Sequence, residues 1–205
     1  QTVSTNGNWE TKTDLPHLST PKTTHPNLKI IFVGQDPYSQ PGVATEIAFG
    51  VENGNPLPPS LQVIQAELAV NYYNDIGYHI EDTSLQKWVD QGMLLINASF
   101  TCEEYKPENE DYLFIEGSHS YYWRTLLMEN LFKWISDNTE NIIFVFAGKK
   151  AQYYSDFINP EKHTVFNVYH PVADFRSGRE LFVGSNIFSK INNKLTEYGK
   201  ETIEF

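Results

Sequence analysis

Chemically useful groups follow four apolar stretches in this 205-residue chain. They are a carboxylate, an amide, a glycine turn before a predicted helix and an imidazole: Asp36, Asn97, Gly148 and His170. An aspartate that orients water or balances a cation, beside a histidine that stabilises a departing anion, suits cleavage of a glycosidic bond through an oxocarbenium-like transition state. The asparagine offers a donor and an acceptor on one planar face, which can match the edge of a nucleobase.

The apolar stretches before these groups have the length of buried strands. Strands are predicted over 29–33, 93–96, 142–147 and 164–169. Predicted helices run over 60–74, with Ser60 as N-cap, over 85–91, from 118, from 149 and over 185–198. Strands separated by helices indicate an α/β fold with a central four-stranded, largely parallel sheet flanked by helices. The carboxyl ends of its strands lie along one edge, which brings the four groups together.

Rigid and aromatic groups follow the first predicted strand. Pro37 restricts the backbone of Asp36 to extended geometry and fixes the turn behind it. Tyr38 and Phe49 can sandwich or enclose a planar ring. Taken singly, each polar residue has a structural explanation, such as a turn cap or a buried group bonded to backbone. Four of them at four successive strand ends are harder to explain in that way, so we interpret the set as an active site.

The helix predicted from Ser118 carries a stripe of apolar side chains. Its members are Tyr122, Leu126, Leu127, Leu131, Trp134 and Ile135. Such a stripe is typical of a helix face that packs on a core, rather than of a cofactor site. The residues between His170 and the last helix are predicted to form a long loop.

Composition excludes several classes of protein. No apolar run approaches the roughly 20 residues that a membrane-spanning helix needs. Cys102 is the single cysteine, so an intramolecular disulfide or a cysteine-based metal cluster is excluded, and we expect an intracellular protein. The formal net charge of −11 argues against generic nucleic-acid binding, which usually leaves a basic footprint.

The most acidic part of the chain is 103–116. It contains six carboxylates against one lysine, Lys106: Glu103, Glu104, Glu108, Glu110, Asp111 and Glu116. Charge runs of this kind are usually solvated loops, and that is the interpretation we favour. The alternative is a surface that binds a protein partner.

Five motifs, in order along the chain, resemble family 1 uracil-DNA glycosylases. GQDPYS at 34–39 is similar to their water-activating motif, usually GQDPYH, and PPSL at 58–61 to their proline-rich loop. LLINASFT at 94–101 resembles their uracil-specificity strand, and AGKKAQ at 147–152 their Gly-Ser loop. The stretch 170–192 resembles their DNA-intercalation loop and final helix. The resemblance covers about residues 28–195 and implies a three-layer α/β/α fold. The sequence shows no domain linker, so we expect one domain over 1–205, with the polar stretch 1–26 as an irregular lead-in.

The resemblance also implies a role for each residue of the pocket. Asp36 would position or activate the hydrolytic water and support the sugar cation, and His170 would stabilise the leaving uracil anion. Phe49 would stack on uracil, and Asn97 would pair with its polar edge and reject cytosine. The remaining base contacts would come from Gln35, and from Tyr38, which would block the 5-position and exclude thymine.

The DNA-binding residues depart further from the family pattern. Ser60, Gly148 and Lys149 would lie near the phosphates, with Lys150 and Arg176 adding positive charge. The region 148–190 contains six basic and four acidic residues, so it is mildly basic in an acidic chain.

Several family residues are replaced in these motifs. Ser39, Lys149 and Val172 replace a histidine and two serines of the family. Asp174 stands where the family has an apolar wedge that enters the base stack, and the neighbouring Phe175 would serve as the wedge if the loop is shifted by one position.

The leading hypothesis is therefore a monomeric enzyme that releases uracil from DNA without a metal or cofactor. A second hypothesis is a glycosylase for a modified base, against which Tyr38 argues. A third is a scaffold or binding protein on the same fold, with 103–116 as its partner surface.

Overall fold

The computed structural model describes residues 2–4, 27–104, 117 and 119–205. The strands of this part are β1 (Thr2–Ser4), β2 (Ile30–Gly34), β3 (Met93–Asn97), β4 (Thr101–Glu103), β5 (Ile143–Ala147) and β6 (Thr164–Val168). The helices are α1 (Pro59–Glu67), α2 (Gln86–Asp90), α3 (Ser120–Trp123), α4 (Glu129–Asn138), α5 (Lys149–Gln152), α6 (Val172–Ser177) and α7 (Ile187–Glu197).

Three irregular helical turns extend these helices. A π-helical turn, Leu68–Tyr72, continues α1, and a second, Arg124–Met128, joins α3 to α4. A 3₁₀ turn, Tyr153–Phe157, follows α5. None of the helices in the described ranges is long and apolar enough to cross a membrane.

The central sheet has the strand order β3-β2-β5-β6, and every neighbouring pair is parallel. The four-stranded α/β prediction is thus confirmed. In β2, β3 and β5 every residue is buried, because β-branched, aliphatic and aromatic side chains project from both faces of the pleat. Gly34 at the end of β2 lies opposite Asn97 at the end of β3, so the polar groups beyond these strands start from the same level.

Helices cover both faces of this sheet, which gives the expected three layers. On one face Ile30, Phe32, Leu95 and Val145 pack against apolar residues of α1, α2 and α7. On the other face Ile31, Val33, Phe144 and Phe146 pack against α4, α5 and the 3₁₀ turn. Each fully buried Phe or Ile contributes roughly 1.5–3 kcal/mol relative to an exposed one. The sheet edge at the carboxyl ends is therefore held by a core on each side.

The antiparallel pair of β1 with β4 was not expected. The segment 1–26 is predicted to be an irregular lead-in, yet Thr2–Ser4 form a strand along Thr101–Glu103. Residues 1 and 5–26 of that lead-in lie outside the described residues. A three-residue strand has too few residues to show an alternating pattern, and its partner is about a hundred positions away, so neither local signal was available.

The predicted N-cap of the first long helix, Ser60, is wrong. Ser60 makes no side-chain cap; the N-cap is Pro58, and Pro59 occupies the first helical position. Proline is suited to that place because its φ is already helical and its missing N–H would have no partner there. Ser60 is instead buried, at 6% exposure.

The predicted core stripe on the helix from Ser118 is also wrong in part. Tyr122, Leu126 and Trp134 are exposed, and the buried side chains include Met128 and Phe132. The π-helical turn Arg124–Met128 adds a residue to one turn, so all later side chains rotate relative to those before it. A stripe drawn at constant helical spacing across that turn cannot stay on one face. Ser118 itself lies outside the described residues.

His163 is a buried histidine that gives the fold a pH-dependent stability. Its Nε2 lies 3.0 Å from the carbonyl oxygen of Ser136, and its Nδ1 accepts the N–H of Ile142 at 3.3 Å. These partners fix a neutral ring with its proton on Nε2. Burial lowers the pKa of His163 below its ordinary value. The unfolded chain therefore takes up a proton at a higher pH than the folded chain does.

We expect the contribution of this neutral ring to stability to be complete above about pH 6.5, the ordinary pKa of histidine, and to be lost as the pH falls below it. The free energy of unfolding, measured by urea titration at pH 7.5, 6.5 and 5.5, should decrease more steeply for wild type than for His163→Gln. The extra slope is at most about 1.4 kcal/mol per pH unit. His79→Gln, which changes an exposed histidine, is the control and should keep the wild-type slope. Identical slopes for wild type and His163→Gln would refute this account.

Candidate active site

A cleft of about 290 Å³ opens at the carboxyl ends of β2, β3 and β6. Nine of the residues predicted for the site line it: Gln35, Asp36, Tyr38, Phe49, Ser60, Asn97, His170, Phe175 and Arg176. Gly148, Lys149 and Lys150 do not line the cleft, but they begin the neighbouring helix α5. The structure therefore brings the predicted base-contacting and DNA-contacting residues to one place, and their roles stay predictions.

Asp36 is held at the end of β2. The ladder between β2 and β3 continues past the strands, because Ala98 N donates to Gly34 O and Ser99 N to Gln35 O, both at 3.0 Å. The side-chain amide of Gln35 donates to Asp36 Oδ2 at 2.9 Å. The backbone and one carboxylate oxygen of Asp36 are thus fixed, as a catalytic group requires.

Gly117 packs against this pair from the other side. A Cβ at this position would lie 3.6 Å from Asp36 Oδ2 and 3.5 Å from Gln35 Nε2, and the glycine has a φ of +73°. Gly117, which follows the acidic stretch, therefore lies near the candidate catalytic carboxylate. Residues 105–116 of the acidic stretch lie outside the described residues. The prediction of a partner surface on 103–116 therefore falls mostly on residues that the structure does not describe.

Phe49 is placed by a strained turn. Its φ of +68° lies in the left-handed region, which a bulky side chain rarely adopts, and such strain persists only where the surroundings impose it. Tyr38 donates its hydroxyl to the carbonyl oxygen of Phe49 at 2.9 Å, and Ala48 N donates to Leu95 O of β3 at 3.2 Å. The strain therefore orients the Phe49 ring, which contacts Phe32 edge-on and lies 5.7 Å from the ring of His170.

Tyr38 is mostly enclosed by this arrangement. Burial raises the pKa of its phenol, so the group remains a neutral donor to Phe49 at physiological pH. Its ring is fixed by that hydrogen bond and forms part of the cleft wall. A fixed aromatic wall is suited to excluding bulk from the space beside it.

Gly34 explains how Asn97 and Phe49 come so close to β2. A Cβ on Gly34 would lie 2.5 Å from Asn97 Oδ1 and 2.9 Å from Phe49 Cζ. Only glycine leaves room for the amide and the aromatic ring in this corner. Asn97 is 5% exposed, so its amide is largely shielded from bulk water at the floor of the cleft.

His170 follows β6, and its tautomer is defined by the backbone. Val172 N donates to His170 Nδ1 at 3.2 Å, so this nitrogen accepts and carries no proton. The neutral ring then has its proton on Nε2, which is the donor needed to stabilise an anion. Gly148, with a φ of +85°, leaves space for the ring, since a Cβ there would lie 2.9 Å from His170 Cβ.

The segment predicted as a long loop after His170 contains helix α6, and this is a correction. Asp174, which replaces the family's wedge, points into the protein rather than towards the mouth of the cleft. The residue is 9% exposed, and its carboxylate accepts the N–H groups of Phe182 and Val183 at 2.7 and 3.0 Å. The adjacent Phe175 is 61% exposed and lies at the mouth of the cleft.

Several lining residues were missed. The turn before Phe49 contributes Ala44, Thr45, Ile47 and Ala48, and β4 contributes Cys102. Burial and the nearby carboxylate of Asp36 raise the pKa of the Cys102 thiol to about 12, so it is an inert apolar wall rather than a nucleophile. The signal for the turn was Gly50, whose backbone packs so closely on Ser84 that a Cβ would lie 2.5 Å from Ser84 O.

In the described part of the chain, no group of three or more His, Cys, Asp or Glu side chains is placed to hold a metal ion.

Comparison with known proteins agrees with this geometry. The family model of the uracil DNA glycosylase superfamily matches residues 21–196. A uracil-DNA glycosylase of Pseudomonas aeruginosa is 33% identical over 180 residues, covering 87% of this chain and 71% of that protein. The uracil-DNA glycosylase of Azobacteroides pseudotrichonymphae is 35% identical over 184 residues, covering 89% and 76% of the two chains.

Solved structures show the same relationship. The crystal structure of mimivirus uracil-DNA glycosylase superposes with a TM-score of 0.71 at 25% identity and covers 86% of this chain and 67% of that one. A variant of that viral enzyme in complex with UGI gives a TM-score of 0.72. With the sheet order and the cleft at its carboxyl edge, these matches establish that the chain belongs to the uracil-DNA glycosylase superfamily.

Proposed function

We propose that this protein is a uracil-DNA glycosylase that hydrolyses the N-glycosidic bond of deoxyuridine in DNA, releasing uracil and leaving an abasic site. The observation that carries the proposal is the convergence of Asp36, Phe49, Asn97 and His170 on one cleft. Its volume of about 290 Å³ is near the lower end of ligand-pocket sizes, which suits one base rather than a longer ligand.

The chemistry follows from the two ends of the cleft. As the C1′–N1 bond breaks, its electron pair stays with uracil, and the sugar becomes an oxocarbenium-like cation. Asp36 faces the cation with a negative charge and accepts a proton from the water whose oxygen bonds to C1′. His170 donates from Nε2 to the oxygen of the departing uracil anion. A neutral histidine serves as this donor because Val172 occupies Nδ1.

Base selection rests on three walls of the cleft. Phe49 supplies a ring for stacking, held by the Tyr38 hydroxyl at its carbonyl oxygen. Asn97 presents an acceptor and a donor to the polar edge of uracil, which the edge of cytosine does not match. Tyr38 closes the space beside the 5-position. Among the described residues that line the cleft, none favours a larger modified base over uracil.

DNA contact is assigned to the rim. Lys149 and Lys150 are exposed at the start of α5, and Arg176 lines the mouth of the cleft. Phosphate contacts by such side chains position a duplex without reading its sequence. Extrusion of the base from the helix costs a few kcal/mol. Phe175 is an exposed apolar group at the mouth of the cleft that can fill the gap. Within an acidic chain we expect this binding to be weak and sensitive to salt.

The test is release of free base from oligonucleotides that carry one uracil, cytosine, thymine or 5-modified uracil. We expect uracil to be released much faster than any other base. No release from the uracil oligonucleotide at micromolar protein would contradict the proposal, and faster release of a modified base would assign a different substrate. Magnesium and EDTA should leave the rate unchanged.

A further inference from the structure

We propose that Asp174 is a positioning residue, whose buried carboxylate anchors α6 so that Phe175 and Arg176 face duplex DNA at the mouth of the cleft. The inference rests on the proposed function, because it concerns how that site takes a base out of a helix. A carboxylate at this place cannot itself enter a base stack, so its role has to lie elsewhere.

The anchor is a pair of charge-assisted hydrogen bonds. Asp174 Oδ1 accepts Phe182 N at 2.7 Å, and Oδ2 accepts Val183 N at 3.0 Å, so both oxygens are used on adjacent backbone groups. Bonds of this type are roughly twice as strong as neutral ones. Asp174 is 9% exposed as a whole residue, so few water molecules compete for these bonds. Asp174 therefore ties α6 to the chain eight positions further on.

The segment whose backbone binds Asp174 is itself held in place. Phe182 is fully buried in the core between the sheet and helices α1, α2 and α7. Glu67, at the end of α1 and 1% exposed, accepts Gly184 N at 2.6 Å and also contacts the hydroxyl of Ser185. Two buried carboxylates thus hold the segment 182–185, one from each side. Because this segment cannot move freely, its bonds to Asp174 set the position of α6.

The inward direction of Asp174 determines where its neighbours lie. Successive residues of a helix project about 100° apart, so a buried Asp174 turns the next two side chains towards solvent. Phe175 is 61% exposed, Arg176 is exposed, and both line the cleft mouth. The helix is short and ends at Ser177, and its C-cap Gly178 donates its N–H to Asp174 O at 2.9 Å. The same residue therefore organises both the side-chain anchor and the end of α6.

This arrangement predicts an effect that depends on the substrate. A duplex resists extrusion of a base, whereas a single strand presents its bases unpaired and gains less from a wedge. We expect Asp174→Ala to lower kcat/KM about tenfold on uracil in a duplex and less than about threefold on the same uracil in a single strand. Phe175→Ala should show the same selectivity. The double variant should lose little more than either single one, because both act through one group.

A matched control separates positioning from loss of stability. Asn192 is also a buried side-chain anchor: its amide accepts Ile203 N and donates to Ile203 O, both at 2.8 Å, away from the cleft. Asn192→Ala should lower the melting temperature and leave the ratio of duplex to single-strand activity unchanged. Asp174→Asn, which keeps the side-chain volume and one acceptor, provides a milder variant that should shift the ratio in the same direction by a smaller factor. Unstacking can be followed directly with 2-aminopurine beside the uracil, and its fluorescence rise should be reduced in the Asp174 variants.

The outcomes distinguish the two proposals. If wild type releases uracil from neither substrate, the proposed function fails. If wild type is active on both and the Asp174 variants lose equal activity on both, or none, the positioning role fails while the function stands. A lowered duplex to single-strand ratio with a reduced fluorescence rise supports it.

Discussion

Asp36→Asn is expected to lower the single-turnover rate of uracil release by about 10²- to 10⁴-fold, the range that a positioned general base contributes. Asparagine has the shape of aspartate and still offers an oxygen to Gln35 Nε2, which lies 2.9 Å from the carboxylate. It has no negative charge to balance the sugar cation and no basic oxygen to take the water proton. The loss should therefore fall on kcat, with binding of uracil-containing DNA largely retained.

Asp90→Asn is the matched control for this change. Asp90 accepts the side-chain amide of Gln86 at 2.7 Å on the surface of α2, so the same kind of amide–carboxylate pair is altered away from the cleft. We expect wild-type kinetics from it. An Asp36→Asn protein that is folded and releases uracil at the wild-type rate would remove Asp36 from the mechanism, whichever other residue then proved essential.

The sheet and the edge that carries the candidate site could be predicted because their signals are local. Each strand of the central sheet is a short run of mainly apolar residues, with a glycine or polar residue at its end or within two positions after it. Alternation of such runs with helices is sufficient to indicate a parallel sheet, and a parallel sheet brings residues such as Asp36 and His170 together, although 134 positions separate them. The active-site prediction therefore needed no knowledge of side-chain packing.

The features that were missed depend on contacts between distant parts of the chain. The left-handed turn at Phe49 is imposed by hydrogen bonds with Tyr38 and with β3. The backbone propensity of phenylalanine does not predict it. The inward direction of Asp174 depends on the backbone of Phe182 and Val183. From its position in the motif Asp174 looked like a damaged wedge, whereas the structure makes it a buried anchor. The π-helical turn that misaligned the predicted stripe likewise has no simple sequence signature.

Gly34→Ala is expected to lower kcat/KM about a hundredfold although it adds one methyl group. The new Cβ would lie 2.5 Å from Asn97 Oδ1 and 2.9 Å from Phe49 Cζ, closer than non-bonded atoms approach, so the amide and the ring must both move. A displacement of about 1 Å in a positioned group can cost a hundredfold in rate. Because Gly34 does not have a positive φ, alanine is compatible with the backbone there, and the effect comes from the two displaced side chains.

Stability should change far less than activity, since overpacking at one site costs about 1–3 kcal/mol. The measurement is kcat/KM on a uracil oligonucleotide together with a urea titration of the same protein. Gly77→Ala is the control, because Gly77 is exposed and has no positive φ. Its Cβ would lie 3.2 Å from Oδ1 of the exposed Asp75 side chain, which can move, so both quantities should stay near wild type. Discrimination between uracil and cytosine should also weaken in Gly34→Ala, because the displaced Asn97 amide is no longer aligned for hydrogen bonds with the edge of the base. Wild-type rate and selectivity in that variant would show that the corner between β2 and β3 does not position the base.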